Sequence, residues 1–259
     1  MTMRAWAAGA AMVVAVARLA GAAECTGASG SARKVLLELY TSEGCSSCPP
    51  ADRWLSKLME AGFSPGTVIP VAFHVDYWND LGWPDRFSQA GFSARQRAAS
   101  ARDSATYVYT PQFLADGHDF RGSGGYDSLR QRVRAAAAAG PAKVRLELSL
   151  DSNSTEVQVR AELDAGATAG PADLFVVVTE NGLSSKVTAG ENRGRSLDHD
   201  AVARLLLGPF PVAANGPTDI RQTLGLAPEW HRDRLSIVAF VQERTRGDVL
   251  QAMSLDYCR

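Results

Sequence analysis

An α/β unit followed by an all-β, sandwich-like unit is the fold class that this 259-residue sequence predicts. Two observations predict it. Apolar runs of strand type alternate with helix-like segments as far as Gly140-Pro141, and beyond that point the hydrophobic period changes to two, with polar turns at short intervals. Composition agrees: with 46% hydrophobic residues and only four cysteines, the chain is not disordered, collagen-like or disulfide-dense.

The first 23 residues carry Arg4, an apolar stretch from Ala5 to Ala17, and the small residues Ala20-Gly21-Ala22-Ala23. This is the pattern of a signal peptide, because the apolar run is shorter than the roughly 20 residues that span hydrocarbon and Arg18 interrupts it. The expected organisation is a signal peptide at 1–23, an α/β domain at 24–140 and a β-sandwich-like domain at 141–259. The mature protein is then periplasmic or secreted, with no membrane attachment after cleavage. Formal net charge is −1 for the whole chain, and with no long basic tract nucleic acid is not an expected partner.

Within the first domain, Val35 to Tyr40 reads as a buried strand, and Ser46 to Met59 as a helix with Pro49 and Pro50 near its start. Val68 to Phe73 repeats the strand signal, and the polar, alanine-rich stretch Ser93 to Asp103 reads as a second helix. Gln112 to Ala115, the Asp116-Gly117 turn and a return near Asp119 form a hairpin, and Tyr126 to Ala139 reads as a third helix closed by Gly140-Pro141. In the second domain, Val144 to Leu150 and Val157 to Leu163 alternate as a hairpin, and Leu174 to Thr179, Ser236 to Val241 and Val249 to Leu255 add strands.

Export bears on the cysteines, since thiols in an oxidising compartment tend to pair. Cys25 and Cys258 form one natural set, a structural bridge that ties the chain ends, with two free or intermolecular thiols as the alternative. Cys45 and Cys48 form the other, in Cys45-Ser46-Ser47-Cys48-Pro49-Pro50, where the first strand turns into the first helix. Two cysteines at this spacing can close a reversible disulfide, with the helix terminus stabilising the first thiolate. Cys45 is then the exposed nucleophile and Cys48 the resolving thiol, and no cofactor beyond the disulfide is needed. A zinc site of paired C-x-x-C motifs lacks its second half.

Thr110-Pro111 stands just before the hairpin strand. With the C-x-x-C at a helix start and the β-α-β-α-β-β-α order, it resembles a thioredoxin-like fold, which implies a cis proline beside the disulfide that positions an incoming chain. More specifically, Leu37 to Asp52 (LELYTSEGCSSCPPAD), Phe73 to Trp78 (FHVDYW) and Tyr109 to Gln112 (YTPQ) resemble a secreted bacterial family known as domain of unknown function twelve twenty-three. That resemblance implies a thioredoxin-like core with an added β-rich half, and no settled substrate. Gly44 stands where thioredoxins carry tryptophan. Thr110 resembles the disulfide-isomerase branch more than thioredoxin.

The function expected from these residues is a thiol-disulfide oxidoreductase acting on protein thiols or disulfides, its redox partner unknown. Two alternatives stand beside it: a soft-metal (Cu or Zn) handling protein that uses Cys45, Cys48 and His74, and a binding module in which the Cys45–Cys48 disulfide is only a staple. Further residues flank the motif. His74 can stabilise the Cys45 thiolate or be satisfied within the fold, and Asp76 can cap a loop or carry protons. Glu43, two residues before Cys45, tends to raise its thiol pKa. Glu38, the one charge in the first strand, can serve as a base for Cys48 or face solvent. Tyr77, Trp78, Trp83 and Phe87 read as a lid or packing cluster, and Arg95, Arg97 and Arg102 as a solvated helix face. Asn192, Arg193, Asp198, His199 and Arg204 read as a polar network bracing the second domain, with binding as the alternative.

Overall fold

The computed structural model describes residues 24–121, 125–168 and 170–258. The expected signal peptide at 1–23 lies outside the described residues. The first half runs β1 (Glu24–Ala28), β2 (Val35–Thr41), α1 (Pro49–Ser56), β3 (Val68–His74), α2 (Ala90–Arg102), β4 (Gln112–Ala115), β5 (His118–Asp119) and α3 (Gly125–Ala138). The second half is all strand apart from a short 3-10 turn: β6 (Val144–Asp151), β7 (Glu156–Leu163), β8 (Ala172–Glu180), β9 (Leu183–Lys186), β10 (Ser196–His199), β11 (Val202–Val212), β12 (Pro217–Thr223), β13 (Leu235–Glu243) and β14 (Val249–Asp256).

Eight of these strands form one mixed sheet in the order β14-β13-β8-β11-β3-β2-β4-β5. The residues of β2 are all buried, as suits a central strand with a parallel neighbour, β3, on one side and antiparallel β4 on the other. The halves meet where β11 lies parallel to β3 through the pair Val202 and Ala72, and β8 then pairs antiparallel with β11 and with β13. A second sheet, β1-β6-β7-β12, and a two-stranded ribbon, β10-β9, complete the strands.

Side-chain alternation then sorts three layers. On one face of the large sheet, Leu36, Tyr40, Val71, Phe73, Val177 and Phe240 pack with Phe92 and Ala99 of α2. The other face is covered in two parts. Val35, Leu37 and Leu39 meet α1 and α3 through Leu55 and Leu129, while Leu174, Val176, Val178, Ile237 and Ala239 meet Leu146, Leu148, Val157 and Val159 of the four-stranded sheet.

This arrangement corrects the expected fold class. The chain is not an α/β thioredoxin-like unit followed by a separate β-sandwich; it is mostly β, and four strands of the second half extend the sheet begun by the first. The physical reason is that hydrophobic periodicity reports which face of a strand is buried and not which sheet the strand joins. The join is tight: a Cβ on Gly117, in the turn between β4 and β5 at φ +88°, would lie 2.0 Å from the carbonyl oxygen of Gly247 between β13 and β14.

A disulfide joins Cys25 in β1 to Cys258, 233 positions away, so the chain ends are bridged beside β6. Among the described residues no cysteine is free and no helix is long and apolar enough to cross a membrane, which is compatible with an exported protein.

Candidate functional site

The second disulfide, Cys45–Cys48, closes in the loop between β2 and α1, with Cα atoms 5.4 Å apart. Cys48 is the N-cap of α1. The first two helical residues are Pro49 and Pro50, which have no N–H, and the N–H groups of Ala51 and Asp52 both donate to the Cys48 carbonyl at 2.8 and 3.1 Å. The first four helical positions therefore hold no free donor for a Cys45 thiolate, contrary to the expectation from a bare helix terminus. What stands closest in chemistry is Ser47, whose Oγ is 3.3 Å from Cys45 Sγ and was not among the expected site residues. Its place inside the C-x-x-C was the available signal.

Both cysteines are buried, 0% exposed, which corrects the expectation of an exposed nucleophile. The cover comes from two directions. Asn192 donates from Nδ2 to the carbonyls of Glu43 (2.8 Å) and Cys45 (2.9 Å), Arg195 holds the Asn192 side-chain oxygen, and Glu191 accepts from the Ser46 N–H. From the other side Trp78 lies against Gly44, where a Cβ would come within 3.2 Å of the tryptophan Cβ. Its indole N–H donates to Thr110 Oγ1 at 2.8 Å. Trp78 thus connects the disulfide loop to Thr110-Pro111, whose peptide bond is cis. A side chain at position 44 would press on Trp78, so the close approach suits glycine. An open cleft of about 290 Å3 borders Pro111, lined by Tyr107, Tyr109, Phe113, Phe120 and Arg121.

Beside the disulfide lies a buried polar cluster built by β2, α1, β3, β10 and the loop after β3. Asp85 anchors it: Oδ2 accepts from the Glu43 N–H (2.8 Å) and contacts His74 Nδ1 (2.7 Å), and Oδ1 accepts from the Phe87 N–H. Glu43 Oε2 accepts from the Trp83 indole N–H at 2.8 Å, while Oε1 faces His199 Nε2 at 3.3 Å in a bent geometry. Asp52, pointing inward from α1, accepts from Thr41 through Oδ2, and its Oδ1 is 3.9 Å from His199 Nδ1. The His74 and His199 rings meet edge to face with centroids 5.0 Å apart.

These contacts set the charges. Burial alone pushes His74 down, but Asp85, Asp52 and Glu43 bring it above its ordinary value. Burial raises Asp52. Burial also acts upward on Asp85 and Glu43, yet His74 brings Asp85, and His199 with Trp83 brings Glu43, below the usual carboxylate range.

The other expected residues fall elsewhere. Glu38 is buried but engaged: Arg95 reaches it with two nitrogens at 2.7 and 3.0 Å, and Tyr40 donates to it at 2.7 Å. It is therefore not a free base. Arg95 is correspondingly not part of a solvated face; it lies beneath α2, over the rings of Phe175 and Phe240. Asp76 braces α2 through Ser93. His74 bonds to Asp85 and to neither sulfur among the described contacts. Of the polar residues expected as one network in the second half, Asn192 and His199 join the site, whereas Arg204 pairs with Glu180.

Comparison with known proteins supplies a family. The chain belongs to the family described as "Protein of unknown function (DUF1223)", whose model matches residues 36–242. That span includes Cys45, Cys48 and His199 and stops short of both terminal cysteines. Among solved structures it is similar to protein AGR_C_4864 from Agrobacterium tumefaciens, at 24% identity and TM-score 0.66 over 88% of this chain and 96% of that one. It is also similar to HBP35 of Porphyromonas gingivalis, at 17% identity and TM-score 0.64 over 87% and 76%. At these identities the likeness is one of fold. No curated protein matches the chain.

Proposed function

We propose that the protein is an exported, periplasmic or secreted thiol-disulfide oxidoreductase whose redox pair is Cys45 and Cys48. The observation that carries this reading is a disulfide between residues only three positions apart, at the cap of α1, with the Ser47 hydroxyl on the sulfur of Cys45. A thiolate of a substrate dithiol attacks Cys45 Sγ, forming a mixed disulfide and releasing the Cys48 thiolate. The second substrate thiolate then attacks the substrate sulfur of that bond and expels the Cys45 thiolate. Two electrons and two protons pass from the dithiol to the cysteine pair, and the reverse sequence reduces a substrate disulfide. Ser47 donates to the Cys45 thiolate as it forms. Because Cys45 is fully buried, the segment carrying Glu191 and Asn192, or Trp78, moves before the sulfur is reached, and the cleft at Pro111 offers the approaching chain an aromatic wall.

The test is a Cys48→Ser variant offered a small peptide disulfide under native conditions. The expected product is a mixed disulfide at Cys45, found by mass and absent in Cys45→Ser. An intact native variant whose Cys45 stays unmodified under conditions that modify it after unfolding contradicts the proposal and favours a structural staple.

A further inference from the structure

We infer that Asp52, His74 and His199 form a divalent transition-metal site of the zinc class, buried behind the Cys45–Cys48 loop and independent of its sulfurs. One ligand atom from each residue lies within 4.8 Å of the others, and all three side chains are at least nine-tenths buried. His74 Nε2 and both ring nitrogens of His199 have no hydrogen-bond partner, an unusual condition for buried imidazole nitrogens. Meanwhile each ring has a carboxylate at one nitrogen: Asp85 on His74 Nδ1 at 2.7 Å, and Glu43 facing His199 Nε2 at 3.3 Å. At His74 this is how proteins orient a metal-binding histidine, since the hydrogen-bonded outer carboxylate fixes the tautomer and turns the opposite lone pair toward the ion; at His199 the carboxylate lies close without a hydrogen bond. Asp52 contributes Oδ1, because Oδ2 is taken by Thr41.

Charge points the same way. Asp52, Asp85 and Glu43 place three carboxylates around two imidazoles, and no Arg or Lys pairs with any of them among the described residues. Without a bound cation this acid is compensated only by the His74 imidazole, through Asp85. Two imidazoles and one carboxylate with a fourth position open match the donor set that zinc accepts, with bonds of about 2.0–2.2 Å, so the three atoms draw in by roughly an ångström on the ion. A route exists. A small cleft of about 60 Å3, bordered by Pro49, Arg53, Ser196 and Asp198, opens onto Asp52 and His199. The bound ion would tie α1, β3 and β10 together, and with them the two halves of the chain.

The experiment uses the full mature chain with both disulfides intact, freed of metal by chelator and titrated with Co2+ and then Zn2+. The expected result is one Co2+ per chain, with visible d–d absorption, no thiolate charge-transfer band, and displacement by one Zn2+. Cys45→Ser/Cys48→Ser protein should bind equally well, His199→Gln should lose at least 100-fold in affinity, and Asp85→Asn should lose about 10- to 100-fold. Absence of stoichiometric Co2+ binding to wild-type protein overturns the inference, and so does a thiolate band. Unchanged binding by a folded His199→Gln protein does the same. Because the wild-type spectrum alone distinguishes these results, the outcome does not depend on the variants folding.

Discussion

The two disulfides are the same bond in two different settings. Cys25–Cys258 closes a separation of 233 residues, with Cys25 in the edge strand β1 of the four-stranded sheet. Cys45–Cys48 closes three positions, sits at a helix cap, and lies against a hydroxyl, a cover from the distant half of the chain, and a cluster of acids and histidines. In the loop-entropy picture the long closure is worth about 5 kcal/mol and the short one about 2. The stability of the fold thus rests more on the first bond, and the chemistry around the second is more than a staple requires.

The largest effect that separates them is thermodynamic. Cys25→Ser/Cys258→Ser protein should lose about 2–5 kcal/mol in denaturant unfolding, while its Cys45–Cys48 redox equilibrium stays where it was. A loss confined to a few tenths would show that the chain ends are held by packing alone and would erase the contrast.

A second change sharpens the role of the cover. Asn192→Ala leaves the buried carbonyl of Glu43 without its donor and that of Cys45 with the Cys48 N–H alone, which should cost about 1–3 kcal/mol. Native-state reduction of Cys45–Cys48 by dithiothreitol should accelerate several-fold, with Cys25–Cys258 unaffected. Equal rates in variant and wild type would mean that Asn192 braces the loop without guarding it.

The smallest effect concerns pH at the joint between the halves. His118, in β5, bonds to Asp103 and to Asp248 in the turn before β14. Burial acts to lower its pKa, but these two carboxylates raise it above the ordinary 6.5. A raised folded pKa stabilises fully below the unfolded value, and the contribution disappears as pH rises through the folded one. Wild type should therefore lose up to about 1 kcal/mol relative to His118→Gln as pH goes from 6 to 8, screened because the pair is partly exposed. Parallel pH profiles would show that this contact does not hold the halves.

How much of this was legible in the sequence depends on the range of the signal. Apolar runs such as Val35 to Tyr40, and the alternation of Val144 to Leu150, mark strands that form close to where local pattern places them. β11 was missed because Gly208-Pro209 and Pro211 interrupt it and its register shifts twice against β8, so it shows neither a clean run nor a clean alternation. β12, an edge strand rich in polar residues and opening on Pro217, gives a weak signal for the same reason. Without a signal for β11 the link between the halves is hidden in the sequence, which reads as two domains where one sheet runs through.

The site shows the same division. Cys45, Cys48 and His74 announce themselves by residue type and spacing, whereas Asn192 reaches Cys45, and His199 reaches Glu43 beside it, from about 150 positions away. Arg95 misled for a related reason: an arginine in a polar helix resembles a solvated charge until its partner, Glu38 on a central strand, is known.

The most direct measurement equilibrates the mature protein in glutathione buffers of graded potential, then alkylates and weighs each cysteine pair. A reversible transition confined to Cys45–Cys48, well above the roughly −300 mV of inert structural disulfides, is the predicted result, with Cys25–Cys258 oxidised throughout. If both pairs resist reduction alike, the Cys45–Cys48 bond is structural and the oxidoreductase account is wrong.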